Sequence, residues 1–71
     1  MTIAEILDSE RKRQGMSVNA LAVKAGLSPG RVHGILTGDT PNPGILTVRA
    51  ITRALGKTLR WLEIEMTRKV R

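Results

Sequence analysis

Glycines and small capping residues cut this chain into five short amphipathic pieces. Gly15, Gly26 and Gly56 each follow a run whose apolar residues recur every three or four positions, as the end of an amphipathic helix requires. Thr2, Ser17, Ser28 and Thr58 stand at the opposite ends, where a side-chain oxygen can accept from an unpaired helical N–H. Thr2 with Glu5 has the spacing of a capping box, and Pro29 occupies a first helical position, where its missing N–H does no harm.

Five amphipathic segments result. The first carries Ile3, Ile6 and Leu7 inward and closes on Arg11, Lys12 and Arg13, cations suited to the negative end of a helix. The second, VNALAVKA, places Leu21 and Ala25 four apart, and the third carries Val32, Ile35 and Leu36. GDTPNPG then forms an exposed loop before a fourth segment, from about Ile45 to Leu55, with Ile45, Val48, Ile51 and Leu55 at helical spacing. The fifth has Leu59 and Leu62 inward. Beyond it, Leu59, Leu62, Met66 and Val70 suit a longer helix, whereas Ile64, Met66 and Val70 alternate as in a strand. The favoured reading is helix to about Met66. The expected fold is therefore an all-α, compact five-helix bundle, one domain over residues 1–66 with a basic tail at 67–71.

Charge and absences narrow the function. The net charge is +6 on 71 residues, and between Arg11 and Leu62 nine Lys or Arg stand against Asp39 alone. A balance of this kind suits a polyanion, although a solvated surface, a ribosome or a membrane surface would also suit it. There is no cysteine and one histidine, so disulfides and thiolate metal sites are excluded and almost every zinc arrangement with them. No metal or other cofactor is expected. No Phe or Tyr is present, and Trp61 is the single aromatic residue, which removes the stacking platform that single strands and unpaired bases need. Duplex is the favoured nucleic acid. Ser28, His33 and Asp39 are close in sequence but belong to a cap, a helix face and a loop, so no triad and no enzyme is expected. The early charges of MTIAEILDSERKRQ suit neither a signal peptide nor a membrane span, and a cytoplasmic location follows as the expectation.

Between the second and third segments lies Gly26-Leu27-Ser28, a three-residue turn with glycine, the pattern that presents a second helix to the DNA major groove. MSVNALAVKAGLSPGRVHGILTG and NPGILTVRAITRALGKTLRWL together resemble the lambda-repressor-like helix-turn-helix family of phage repressors, Cro proteins and bacterial XRE-type regulators. The resemblance runs from about Leu7 to Leu62. It rests most on Leu21-Ala22, Lys24-Ala25-Gly26, Ser28, Val32, Ile35 and Gly38, then on Asn42-Pro43, Ala54-Leu55-Gly56 and Trp61-Leu62. It implies a bacterial or phage-encoded, nucleoid-associated protein that binds operator DNA, usually as a dimer, and represses or controls transcription.

The departures from the family concentrate where bases are usually read. Val18 stands where the family often has a glutamine, Pro29 and Gly30 where it has long polar side chains, and Gly34 at a third reading position. Leu36 replaces a glutamate that commonly pairs with an arginine at the position of Arg11. Gly30, Gly34 and Thr37 would form one smooth side of the third helix, able to sit deep in the groove beside Pro29. Arg31 and His33 flank it as candidate base readers, arginine being able to pair bidentately with guanine. Ser17, Asn19, Lys24, Ser28, Thr37, Gly38 and Thr40 are the candidate phosphate contacts, the serines and Asn19 because they start helices. The Gly30/Gly34 pair would equally admit a closely packed helix. Arg49, Arg53, Lys57 and Arg60 read as a solvated face, and Trp61 and Ile64 as core or dimer contact.

The leading expectation is a homodimeric regulator on double-stranded DNA, with no membrane contact and no small-molecule ligand. Two other readings fit the same residues. One is a helix-turn-helix scaffold retained as a protein-interaction module, antitoxin-like, that binds a toxin or polymerase subunit through Gly30, Gly34, Trp61 and Ile64. The other is a basic architectural protein indifferent to sequence.

Overall fold

Capping chemistry decides where the helices begin. In the computed structural model, which describes residues 2–40 and 42–68, α1 spans Ile3–Arg13 behind a completed capping box. The Glu5 N–H donates to Thr2 Oγ1 at 3.1 Å, and the Thr2 N–H donates to Glu5 Oε1 at 2.8 Å. Ser17 caps α2 (Val18–Ala25), Ser28 caps α3 (Pro29–Thr37) and Thr58 caps α5 (Leu59–Thr67), each accepting the N–H three residues on. Helix α4 (Ile45–Ala54) starts at Gly44 without a side-chain cap. Among the described residues there are five helices and no strand.

The amphipathic stripes meet in one core. Leu7, Leu21, Val32 and Ile51 are fully buried, one each from α1 to α4, and Leu62 of α5 closes the cluster. Helix α1 packs on α3 and α5, α2 packs on α3 and α4, and α4 packs on α5. Each fully buried aliphatic side chain contributes roughly 1.5–3 kcal/mol, so a core this small leaves little to spare.

Two details differ from the sequence expectation. Helix α4 ends at Ala54, with Leu55 as its cap, because Gly56 turns into the left-handed region at φ 75°. Ile45, counted in the apolar stripe, is 66% exposed, because the first residue of α4 lies on the rim of a groove rather than over the core. The helical alternative holds for the end of the chain as far as Thr67. Val70 and the rest of the basic tail, residues 69–71, lie outside the described residues.

A buried carboxylate ties the first helix to the last turn of the fourth. Glu10 is buried and accepts from Arg13 Nε at 3.0 Å and from Gln14 Nε2 at 2.8 Å, with Lys57 Nζ at 3.8 Å. Gln14 Nε2 also donates to the Leu55 carbonyl at 2.8 Å, forty-one residues away. Hydrogen bonding from Arg13 first, then burial opposing it, sets the Glu10 pKa, which falls from 4.5 to about 2. A depressed carboxylate pKa contributes stability that is present above the unfolded value and lost as pH falls through the folded one. Wild-type melting temperature should therefore drop between pH 4.5 and about 2. Glu10→Gln should lower it at neutral pH, by roughly 1–3 kcal/mol of stability, and flatten this acid limb. An acid limb unchanged in Glu10→Gln would show that other carboxylates carry it.

Candidate nucleic-acid interface

The turn between α2 and α3 is built around one left-handed residue. Gly26 caps α2 at φ 73°, a conformation that costs a side chain roughly 1–2 kcal/mol, and the Leu27 N–H then returns to the Ala22 carbonyl at 3.0 Å. One residue later Ser28 starts α3, accepting the Arg31 N–H at 3.3 Å. The chain thus turns within three residues, and α3 packs against α2 and α1.

Helix α3 has two different faces. Val32, Ile35 and Leu36 are buried, while Pro29, Gly30, Arg31, His33 and Thr37 are exposed. A Cβ added at Gly30 would meet nothing within 4 Å, so the backbone there is open to whatever approaches. Gly34 is different. It is half-buried, and a Cβ there would lie 3.1 Å from Thr40 Oγ1. The chain comes back onto α3 beyond Gly38, which takes φ 87°, and the Thr40 N–H donates to the Gly34 carbonyl at 3.0 Å. The smooth strip expected from the sequence is therefore bare at Gly30 and walled by Thr40 at Gly34.

The other site candidates fall around these helices. Arg31 lies towards α4, where its Nη2 donates to Thr47 Oγ1 at 3.4 Å, and His33 is exposed. Ser17 and Asn19 are exposed at the start of α2, Lys24 in its last turn, and Ser28 at the start of α3. Thr37 Oγ1 donates to the Gly34 carbonyl at 3.4 Å, so Thr37, Gly38 and Thr40 gather at one end of α3. Trp61 and Ile64 sit on α5, which packs on α1 and α4. Trp61 is half-buried against the core, with Lys57 Nζ 5.6 Å from its ring centroid, whereas Ile64 is 48% exposed.

Ion pairing separates free cations from occupied ones. Arg11 and Lys12 pair with Asp8, Arg13 and Lys57 with Glu10, and Arg68 with Glu65. Burial raises the Asp8 pKa, but the hydrogen bonds and charges of Arg11 and Lys12 outweigh it and hold that carboxylate below its ordinary value. Lys24, Arg31, Arg49, Arg53 and Arg60 make no ion pair among the described residues. Arg11, whose family partner is replaced by Leu36, also donates from Nη1 to the Met16 carbonyl at 2.8 Å. The Asp8–Arg11 and Glu10–Arg13 spacings were visible in the sequence as i,i+3 pairs. No sequence signal pointed to Thr47 beside Arg31. No group of three or more His, Asp or Glu that could hold a metal is assembled among the described residues, and no helix there is long and apolar enough to cross a membrane.

Two helices joined at a left-handed glycine, sharing one core and leaving an outer face of the second exposed, define a helix-turn-helix domain. The helix-turn-helix family profile matches residues 7–62, and the chain belongs to that family, in its XRE/Cro-type, lambda-repressor-like branch. Members are typically non-enzymatic DNA-binding domains, and the type suggests a transcriptional regulator. Comparison with curated proteins and with solved structures gave no match.

The glycines of α3 and its cap should respond to alanine with opposite signs. Gly30→Ala, in open space, should raise stability by up to roughly 1 kcal/mol through helix propensity. Gly38→Ala, at φ 87°, should lower it by roughly 1–2 kcal/mol. Thermal melts read both, and a fall in melting temperature for Gly30→Ala would mean that the site is not open.

Proposed function

We propose that the chain is a sequence-specific regulator of the Cro/XRE type, a repressor that occupies a two-half-site operator as a homodimer with α3 in the major groove. The observation that carries this reading is the exposed outer face of α3, bare at Gly30 and flanked by the exposed Arg31 and His33, on a helix whose other face is buried. An α-helix with its side chains is about 10–12 Å across, and a major groove about 12 Å wide admits it. Close approach at Pro29 and Gly30 brings Arg31 to a guanine edge once it leaves Thr47, and His33 to a purine or a phosphate. Ser17, Asn19, Lys24 and Ser28 on one side, with Thr37, Gly38 and Thr40 on the other, meet the phosphates. The cytoplasm of a bacterium, on host or phage DNA, is where such a protein acts.

The dimer reading draws support from α5. Ile64 and Met66 are 48% and 41% exposed. Met66 lines an apolar groove together with Ile3, Pro43, Ile45, Val48 and Leu59, and Arg60 and Glu63 line it too. Opposite charges one turn apart on one helix are self-complementary across a two-fold axis, so a second copy is the occupant that suits this face. Trp61 then stabilises α5 from its inner flank.

Selection of bound duplexes from a random pool tests the proposal. The expected result is a two-fold-symmetric pattern with half-sites about one helical turn, near 34 Å, apart. Arg31→Ala should erase the preference at one position per half-site and cost about 1–3 kcal/mol. An unchanged preference would remove Arg31 from the readers, and a pool without any pattern would favour the architectural alternative. Sedimentation checks the dimer: Ile64→Asp should shift the wild-type dimer towards the 7.8 kDa monomer, and a monomeric wild type at saturating footprint concentrations would contradict it.

A further inference from the structure

The two glycines of α3 look alike in sequence and differ in surroundings. Gly30 faces open space, whereas Gly34 lies under the segment that follows α3. The Gly34 carbonyl accepts twice, from the Thr37 hydroxyl at 3.4 Å and from the Thr40 N–H at 3.0 Å. Thr40 Oγ1 rests 3.1 Å from where a Gly34 Cβ would be, closer than ordinary van der Waals contact. Thr40 itself is exposed, and its hydroxyl makes no hydrogen bond among the described residues. An alanine at 34 would force that hydroxyl to swing aside or the segment to lift by a few tenths of an ångström.

We infer that Gly34 is a positioning residue: its bare α-carbon is the seat on which Thr40 closes, and the pair holds the Thr40 hydroxyl on the flank of α3 for a DNA phosphate. This rests on the regulator reading above and changes the part Gly34 plays in it. Gly30 serves close approach to the bases, while Gly34 serves the backbone contact and contributes no base preference of its own. Phosphate contacts fix register without carrying sequence information, so a fault at the seat lowers affinity for every duplex alike.

Five proteins separate this from a base-reading Gly34: wild type, Gly34→Ala, Thr40→Val, the double variant and Thr40→Ser. Binding to a selected operator and to random duplex is measured by fluorescence anisotropy across a salt series, with thermal melts confirming that each variant is folded. Gly34→Ala and Thr40→Val should each weaken both duplexes by the same factor, on the order of tenfold per subunit, the worth of one charge-assisted hydrogen bond. Neither should change the salt slope, because an uncharged hydroxyl neutralises no phosphate and releases no counterion. The double variant should bind no worse than either single one, because both lose the same contact. Thr40→Ser, which keeps the hydroxyl, should bind as wild type does. Losses that multiply in the double variant, a changed base preference in Gly34→Ala, or wild-type affinity in Gly34→Ala would each overturn the seat alone. A wild type whose duplex binding is absent or indifferent to salt would overturn the regulator reading and the seat with it.

Discussion

What the outer face of α3 can do depends on how firmly its inner face is held. Val32 and Ile35 are buried against a cluster that includes Leu7 of α1 and Leu21 of α2, and the three-residue turn at Gly26 leaves α3 no slack relative to α2. A domain of this size has a total stability of roughly 4–11 kcal/mol, taking about 0.05–0.15 kcal/mol per residue. Truncating one fully buried leucine costs about 2–5 kcal/mol, a large part of that total. The exposed face can therefore be nearly bare of side chains without loosening the helix, because its geometry is set from behind.

Electrostatics divides along the same line. Acidic residues of α1 occupy the cations nearest them: Asp8 takes Arg11 and Lys12, and Glu10 takes Arg13 and Lys57. Three of these pairs lie within α1, while Glu10–Lys57 and the Gln14 bond to the Leu55 carbonyl tie it to the end of α4. Lys24, Arg31, Arg49, Arg53 and Arg60 have no carboxylate partner among the described residues. Net charge alone would have counted both groups equally.

Most of the fold was legible in the sequence because it is written in local chemistry. Thr2 with Glu5, Ser17, Ser28 and Thr58 mark helix starts through hydrogen bonds that reach only three residues, and Gly26 marks a stop through its own φ. What escaped the sequence depends on partners distant along the chain or on a change of direction. Gln14 meets Leu55, and Arg31 meets Thr47 across sixteen residues. Thr40 folds back on Gly34, which makes two glycines of identical helical register unlike each other. The exposure of Ile45 has the same origin, since periodicity assigns a face but not where the groove between α4 and α5 opens.

The central claim is that α3, presented by the Gly26 turn, is the element that enters DNA. Amide chemical-shift mapping by NMR, as a selected operator duplex is added to the labelled protein, tests it most directly. The account predicts that the largest changes fall at Ser28 to Thr40 and at the start of α2, Ser17 to Ala20, with α5 from Leu59 to Thr67 little affected. Changes concentrated on α5 or on the outer side of α4, with α3 silent, would contradict it.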